Sequence, residues 1–146
     1  MIRWLGNVLH GDLGESSKFG ESVLTQMTRK LPMTLKLAGV SLVVVILISF
    51  PLGVLSAVKK NKTADYIIRF LSFFGVSMPN FWLALLLMYI FAVRLGWFKV
   101  VSTDSIGGMI LPVATLTIPM ISSYARQIRA ALLEELNANY VIGARA

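Results

Sequence analysis

Three long apolar runs separated by short charged segments set the organisation of this chain. Residues 37–58 form 22 consecutive uncharged positions, about 33 Å of α-helix at about 1.5 Å per residue, against a bilayer hydrocarbon core of about 30 Å. Residues 70–93 supply 24 more and residues 106–125 another 20. Each run is long enough to cross a membrane, so the pattern predicts an all-α, multi-pass integral membrane protein. Residues 1–33 read differently. Ile2, Leu5 and Leu9 stand at helical spacing, a GDLG turn follows (Gly11 to Gly14), and Val23, Leu24, Met27 and Leu31 resume that spacing. This predicts two short amphipathic helices lying along a membrane surface or covering neighbouring helices.

Helix-breaking and polar residues refine each run. Pro32 stands just ahead of the first span, where its missing N–H costs little, and Lys36 can extend its ammonium to the headgroups. Pro51 removes a mid-helix hydrogen bond to Leu47 and is expected to bend the helix. In the second run Pro79 would clash with the carbonyl of Gly75, with Ser77 and Asn80 available to satisfy the freed backbone. A break there belongs at the bundle interior, so Ser77, Pro79 and Asn80 are candidates either for a translocation path or for a helix interface. In the third run Pro112, Thr115, Pro119, Ser123 and Arg126 recur at steps of three, four, four and three. That places them on one helix face, which gains nothing from lipid and should meet other helices or a solute path.

Composition agrees with the membrane class. Mean hydropathy is +0.74, with 56% apolar and only 14% charged residues, more apolar than one soluble core of this size requires. The chain has no cysteine, which excludes disulfides and thiolate chemistry. A net charge of +7 is spread over the connectors without an aromatic-interleaved stripe, which suits anionic lipid headgroups better than a nucleic-acid groove. His10 is the single histidine and has no second ligand nearby. No metal site, cofactor site or catalytic constellation is visible. No GxxxxGK[ST] loop occurs and no Asp, Glu or His lies within a span, so a transporter built from this chain must draw its energy from a separate protein. Lys and Arg tie at seven on each side of the membrane, so charge does not set the orientation.

Residues 126–146 follow the third run as a charged, helix-forming tail. Asn137, Ala138 and Asn139 interrupt it, and Asn139 is placed to cap a second short helix. That helix reaches Ala146 without a stop signal, which leads us to expect a piece of a longer protein. A membrane scaffold or channel whose tail binds some other partner is the alternative to transport; an intramembrane enzyme would need a catalytic group that is not visible.

The motifs in order are GDLG with Ser16, RKLPMTLKL (29–37), FPLGVLSA (50–57), VSMPNFWLALLL (76–87), LGWF (95–98), ILPVATLTIP (110–119), ARQIRAALLEEL (125–136) and NYVIGARA (139–146). This series resembles the permease subunits of ABC importers, in the dipeptide, oligopeptide and nickel branch. The resemblance implies part of a type I importer transmembrane domain: an extracytoplasmic segment over 1–33, then a permease domain over 34–146 with three spans and the start of a coupling helix. It further implies a bacterial cytoplasmic membrane location, a second permease subunit, an extracytoplasmic solute-binding protein and two cytoplasmic ATPases. Asn139, Tyr140, Ala144, Arg145 and Ala146 match the opening of the helix that contacts the ATPase, which would put the tail and the 59–69 connector in the cytoplasm. The sequence departs from the family pattern, which usually has Asp where Asn139 stands, a basic residue near the position of Ile142, Thr near that of Gly143 and Pro near that of Lys99.

Overall fold

The computed structural model describes residues 6, 8, 13–16, 20–98, 106–136 and 138. Four α-helices account for most of them: α1 (Val23–Val58), α2 (Thr63–Ser77), α3 (Asn80–Leu87), which runs into a π-helical stretch (Met88–Arg94), and α4 (Ile106–Leu136). The chain forms two compact units, Met1–Gly39 and Val40–Ala146.

In the first unit an isolated antiparallel bridge pairs Glu15 with Ser22. Gly14 and Gly20 adopt φ of 81° and 65°, a backbone that glycine enters without steric cost. The N–H of Val23 donates to the Gly14 carbonyl at 3.0 Å, so the turn leads directly into α1. Arg29 of that helix meets Glu21, just ahead of it, at 3.6 Å. The structure differs here from the sequence expectation of a short surface helix followed by a separate span, because α1 is one helix of 36 residues that includes Pro32 and Pro51. Each proline removes one hydrogen bond, but a cooperative helix continues across a single lost bond.

The interior of the second unit is built from small and hydroxyl-bearing residues. α1 buries Ser41, Val45, Ser49, Gly53, Ser56 and Ala57, and α2 buries Asp65, Ile68, Ser72 and Gly75. From α4 come Met109, Val113, Thr117, Ser122 and Ala125. Large apolar side chains point outward instead, among them Leu42, Ile46, Leu47 and Phe50 on α1 and Phe70, Leu71, Phe73 and Phe74 on α2. In lipid the outside is as apolar as any core, so association depends on close backbone approach, which small residues permit. Some of the hydroxyls are satisfied within their own helix, while that of Ser41 meets no partner among the described residues. Ser122 donates to the Ile118 carbonyl at 2.8 Å and Thr115 to that of Leu111 at 2.9 Å, the local bonding open to such residues in a medium without water.

Two glycines mark where the helices meet. A Cβ on Gly53 would stand 2.7 Å from the Ile128 Cβ and 3.0 Å from the Ala125 carbonyl oxygen. Both belong to the rigid part of α4, so Gly53→Ala is expected to push α1 off α4 and destabilise by about 1–3 kcal/mol, the usual range for overpacking. Thermal unfolding of the full-length protein in detergent reads this out, with exposed Gly39→Ala as the comparison.

The apolar run 70–93 turns a corner. α2 ends at Ser77, and Met78 and Pro79 are extended at φ/ψ of −92°/132° and −59°/138°. α3 then restarts with the N–H groups of Trp82 and Leu83 on the Pro79 carbonyl at 3.0 and 3.1 Å. The two helical stretches, Thr63–Ser77 and Asn80–Arg94, lie 103° apart. Proline excludes its predecessor from helical geometry and has no N–H to give to Gly75, so the helix stops where an ideal helix would clash. By length and composition α1 and α4 can each cross a membrane, and the bent pair would make a third crossing if it serves as one span. Beyond the corner, the π-helical stretch closes on a cluster in which Phe91 lies 5.7 Å from Trp97 and 6.4 Å from Phe98 between ring centres.

Candidate functional site

Where α1 ends and α2 begins, the chain makes a tight reversal. The N–H of Lys60 donates to the Ala57 carbonyl at 3.2 Å and that of Lys62 to the Lys59 carbonyl at 3.0 Å. Asn61 takes φ of 59°, a left-handed backbone that asparagine tolerates better than most residues. This turn delivers Asp65 into the first turn of α2, where a carboxylate is favoured by the helix dipole.

Asp65 is fully buried and accepts from four donors. Ser56, in the last turn of α1, donates its hydroxyl to Oδ1 at 2.5 Å. The Asn61 backbone N–H reaches Oδ2 at 3.0 Å. Arg129 of α4 grips both oxygens, Nε to Oδ1 and Nη2 to Oδ2, each at 2.8 Å. A two-point fork of this kind fixes orientation as well as distance, and charge-assisted bonds are about twice as strong as neutral ones. A carboxylate withdrawn from water is tolerable only with its lone pairs filled in this way. The junction ties three elements together: the end of α1, the start of α2, and the part of α4 that continues past the uncharged run.

The sequence reading missed this junction. It held Asp65 only as the one acid of the 59–69 connector and Arg129 only as part of the 125–136 tail motif. A lone acid at the third position of a helix was the available signal, but nothing local selects Arg129 over Arg126 as its partner 64 residues away.

The other candidate residues lie elsewhere. Ser77, Pro79 and Asn80 sit together at the α2–α3 corner, all exposed, with the Ser77 hydroxyl donating to the Phe73 carbonyl at 2.8 Å. α4 passes through Pro112 and Pro119 without a break. Pro112, Thr115, Pro119, Ser123 and Arg126 are half-buried or exposed, whereas other positions of α4 pack against α2 and α1. Among the described residues this face is only partly covered, and Ser123 is held there by the Gln127 amide at 3.2 Å. Asn139, Tyr140, Ala144, Arg145 and Ala146 lie outside the described residues. α4 itself extends as a regular helix to Leu136, ten residues beyond Arg126, as the tail composition predicted. Among the described residues no cluster of His, Cys, Asp and Glu could hold a metal ion.

Comparison with known proteins agrees with this architecture. Residues 49–146 match the family described as "Binding-protein-dependent transport system inner membrane component". The chain is 38% identical, over 99% of its length, to the oligopeptide transport system permease protein AppB of Bacillus subtilis, of which it covers 49%. It is 36% identical to the oligopeptide permease OppB of Haemophilus influenzae, over 98% of this chain and 48% of that protein. Identity to the probable D,D-dipeptide permease DdpB of Escherichia coli is 33%, over 99% and 51%. The chain thus spans about half the length of the curated relatives it matches. Matched over two-thirds of its length and helical in the way such a membrane domain requires, this chain belongs to the family of binding-protein-dependent transport system inner membrane components, the type I ABC importer membrane domains.

Proposed function

We propose that the chain is part of the membrane-spanning subunit of an ATP-driven importer of peptides. The observation that carries this reading is its likeness along almost the whole chain to permeases named for oligopeptides and dipeptides. Nickel and metal chelates, which the sequence resemblance also allowed, find no counterpart among these names. In this reading a solute-binding protein delivers the peptide from outside, a second permease subunit completes the path, and ATP is hydrolysed on separate cytoplasmic subunits. The partly covered α4 face of Pro112, Thr115, Pro119 and Ser123, with the corner at Ser77, Pro79 and Asn80, lines the path or meets the second subunit. The tail from Asn139 to Ala146 contacts the ATPase through Tyr140, Ala144 and Arg145.

The Asp65–Arg129 junction gives this arrangement a mechanical basis. ATPase closure moves the tail, the tail is continuous with α4 through Leu136, and α4 is clamped to α1 and α2 at Asp65. Motion entering at the tail is therefore passed to three helices at once instead of bending α4 alone.

Cysteines at Tyr140 or Arg145 in the full-length protein are expected to crosslink to an ATPase subunit in native membranes, while one at Phe74 on the lipid-facing side of α2 is not. Absence of any crosslink from the tail would favour a membrane scaffold with a different partner.

A further inference from the structure

Beside the junction, an open cleft of about 490 Å³ lies between α2 and α4, lined by Tyr66, Arg69, Phe70, Phe73, Arg126 and Arg129. Its position follows from the two sequences that form it. Arg69 is the last charged residue before the uncharged run 70–93, and Arg126 is the first after the uncharged run 106–125. The helices pack antiparallel, since Asp65 meets Arg129 at one level and Gly75 meets Ser122 further along. Both charge boundaries therefore fall at one height. At that height a membrane changes from hydrocarbon to headgroup.

The cleft is polar at one end and aromatic at the other. The Arg69 guanidinium lies 5.8 Å from the centre of the Tyr66 ring. Arg69 and Arg126 are exposed, and among the described residues neither has a carboxylate within ion-pair distance. Arg129 uses Nε and Nη2 on Asp65, which fixes its guanidinium in the wall with Nη1 not committed to that pair. Three guanidinium groups against one buried carboxylate leave an excess of two positive charges. Phe70 and Phe73 continue the wall toward the exposed apolar surface of Leu71 and Phe74.

We propose that this cleft binds an anionic phospholipid, its phosphate between Arg69 and Arg126 and an acyl chain along Phe70 and Phe73. Guanidinium forks suit phosphate oxygens, and arginines at the headgroup level attract anionic lipid. A free anion would use the arginines but not the aromatic wall. A zwitterionic headgroup would bring its own cation into a site already carrying excess positive charge. The site does not depend on which solute is carried or on what the tail contacts.

The test uses the full-length protein reconstituted in vesicles containing spin-labelled phosphatidylglycerol or spin-labelled phosphatidylcholine, with the motionally restricted lipid read by electron paramagnetic resonance. The wild type is expected to prefer phosphatidylglycerol. R69Q and R126Q should each reduce that preference about fivefold, the effect of one basic residue near an anionic surface, and the double variant should abolish it. K59Q/K60Q, which removes two nearby charges outside the cleft, should keep the preference. Because Arg69 and Arg126 are exposed, the single variants test the site even if the double variant folds poorly. No preference in the wild type, equal loss in K59Q/K60Q, or full displacement of the labelled lipid by millimolar inorganic phosphate would overturn the proposal.

Discussion

Replacing Arg129 by alanine is expected to be among the most damaging single changes in this chain. It leaves the Asp65 carboxylate at 0% exposure with only the Ser56 hydroxyl and the Asn61 N–H. Breaking a buried ion pair by removing one member costs about 3–5 kcal/mol. Asp65→Ala should cost less, because Arg129 keeps 19% of its side chain accessible and can turn toward the cleft. Arg129→Lys should fall between them, since an ammonium can neutralise the charge but cannot grip both oxygens. The order Arg129→Ala, Arg129→Lys, wild type in thermal unfolding of the full-length protein is the expected outcome. If the junction also transmits ATPase closure, Arg129→Lys should retain ATP hydrolysis while losing much of its stimulation by solute, a split that instability alone does not produce.

The second large effect is at Gly75. A Cβ there would overlap the Ser122 hydroxyl and stand 3.1 Å from the Ser122 Cβ, so α2 and α4 touch through a glycine and a serine. Gly75→Leu cannot be housed without separating the helices and should destabilise by about 3 kcal/mol, the upper end of the overpacking range. Gly75→Ala asks for less, and Ser122→Ala beside it removes the overlapping oxygen. The double variant is therefore expected to regain most of the stability lost in Gly75→Ala. Equal losses in Gly75→Ala with and without Ser122→Ala would mean that the contact is not the cause.

The legible parts of the sequence were those governed by local composition. Residues 37–58 and 106–125 announce themselves by lacking charge, and α1 and α4 contain them. The tail helix to Leu136 followed from its Ala, Leu, Glu and Arg content. Prolines were harder to read. Pro32, Pro51, Pro112 and Pro119 all lie within continuous helices, while Pro79 ends one, and glycine precedes both Pro79 and Pro112 by four residues. Local sequence does not separate these cases. What each turn packs against does, and Gly75 is held against Ser122, a contact between residues 47 apart in the chain. The Asp65–Arg129 bond was illegible for the same reason. Each residue alone reads as an ordinary connector or tail charge, and only the antiparallel packing of α2 on α4 brings them together.

The central claim is that Asp65 and Arg129 depend on each other and so hold α4 to α1 and α2. A double-mutant cycle in the full-length protein tests this most directly, comparing unfolding of wild type, Asp65→Ala, Arg129→Ala and the double variant. Buried partners that depend on each other should couple strongly, so the double variant is expected to be no less stable than Arg129→Ala alone. Losses that simply add would show that the two side chains act independently and would contradict the account.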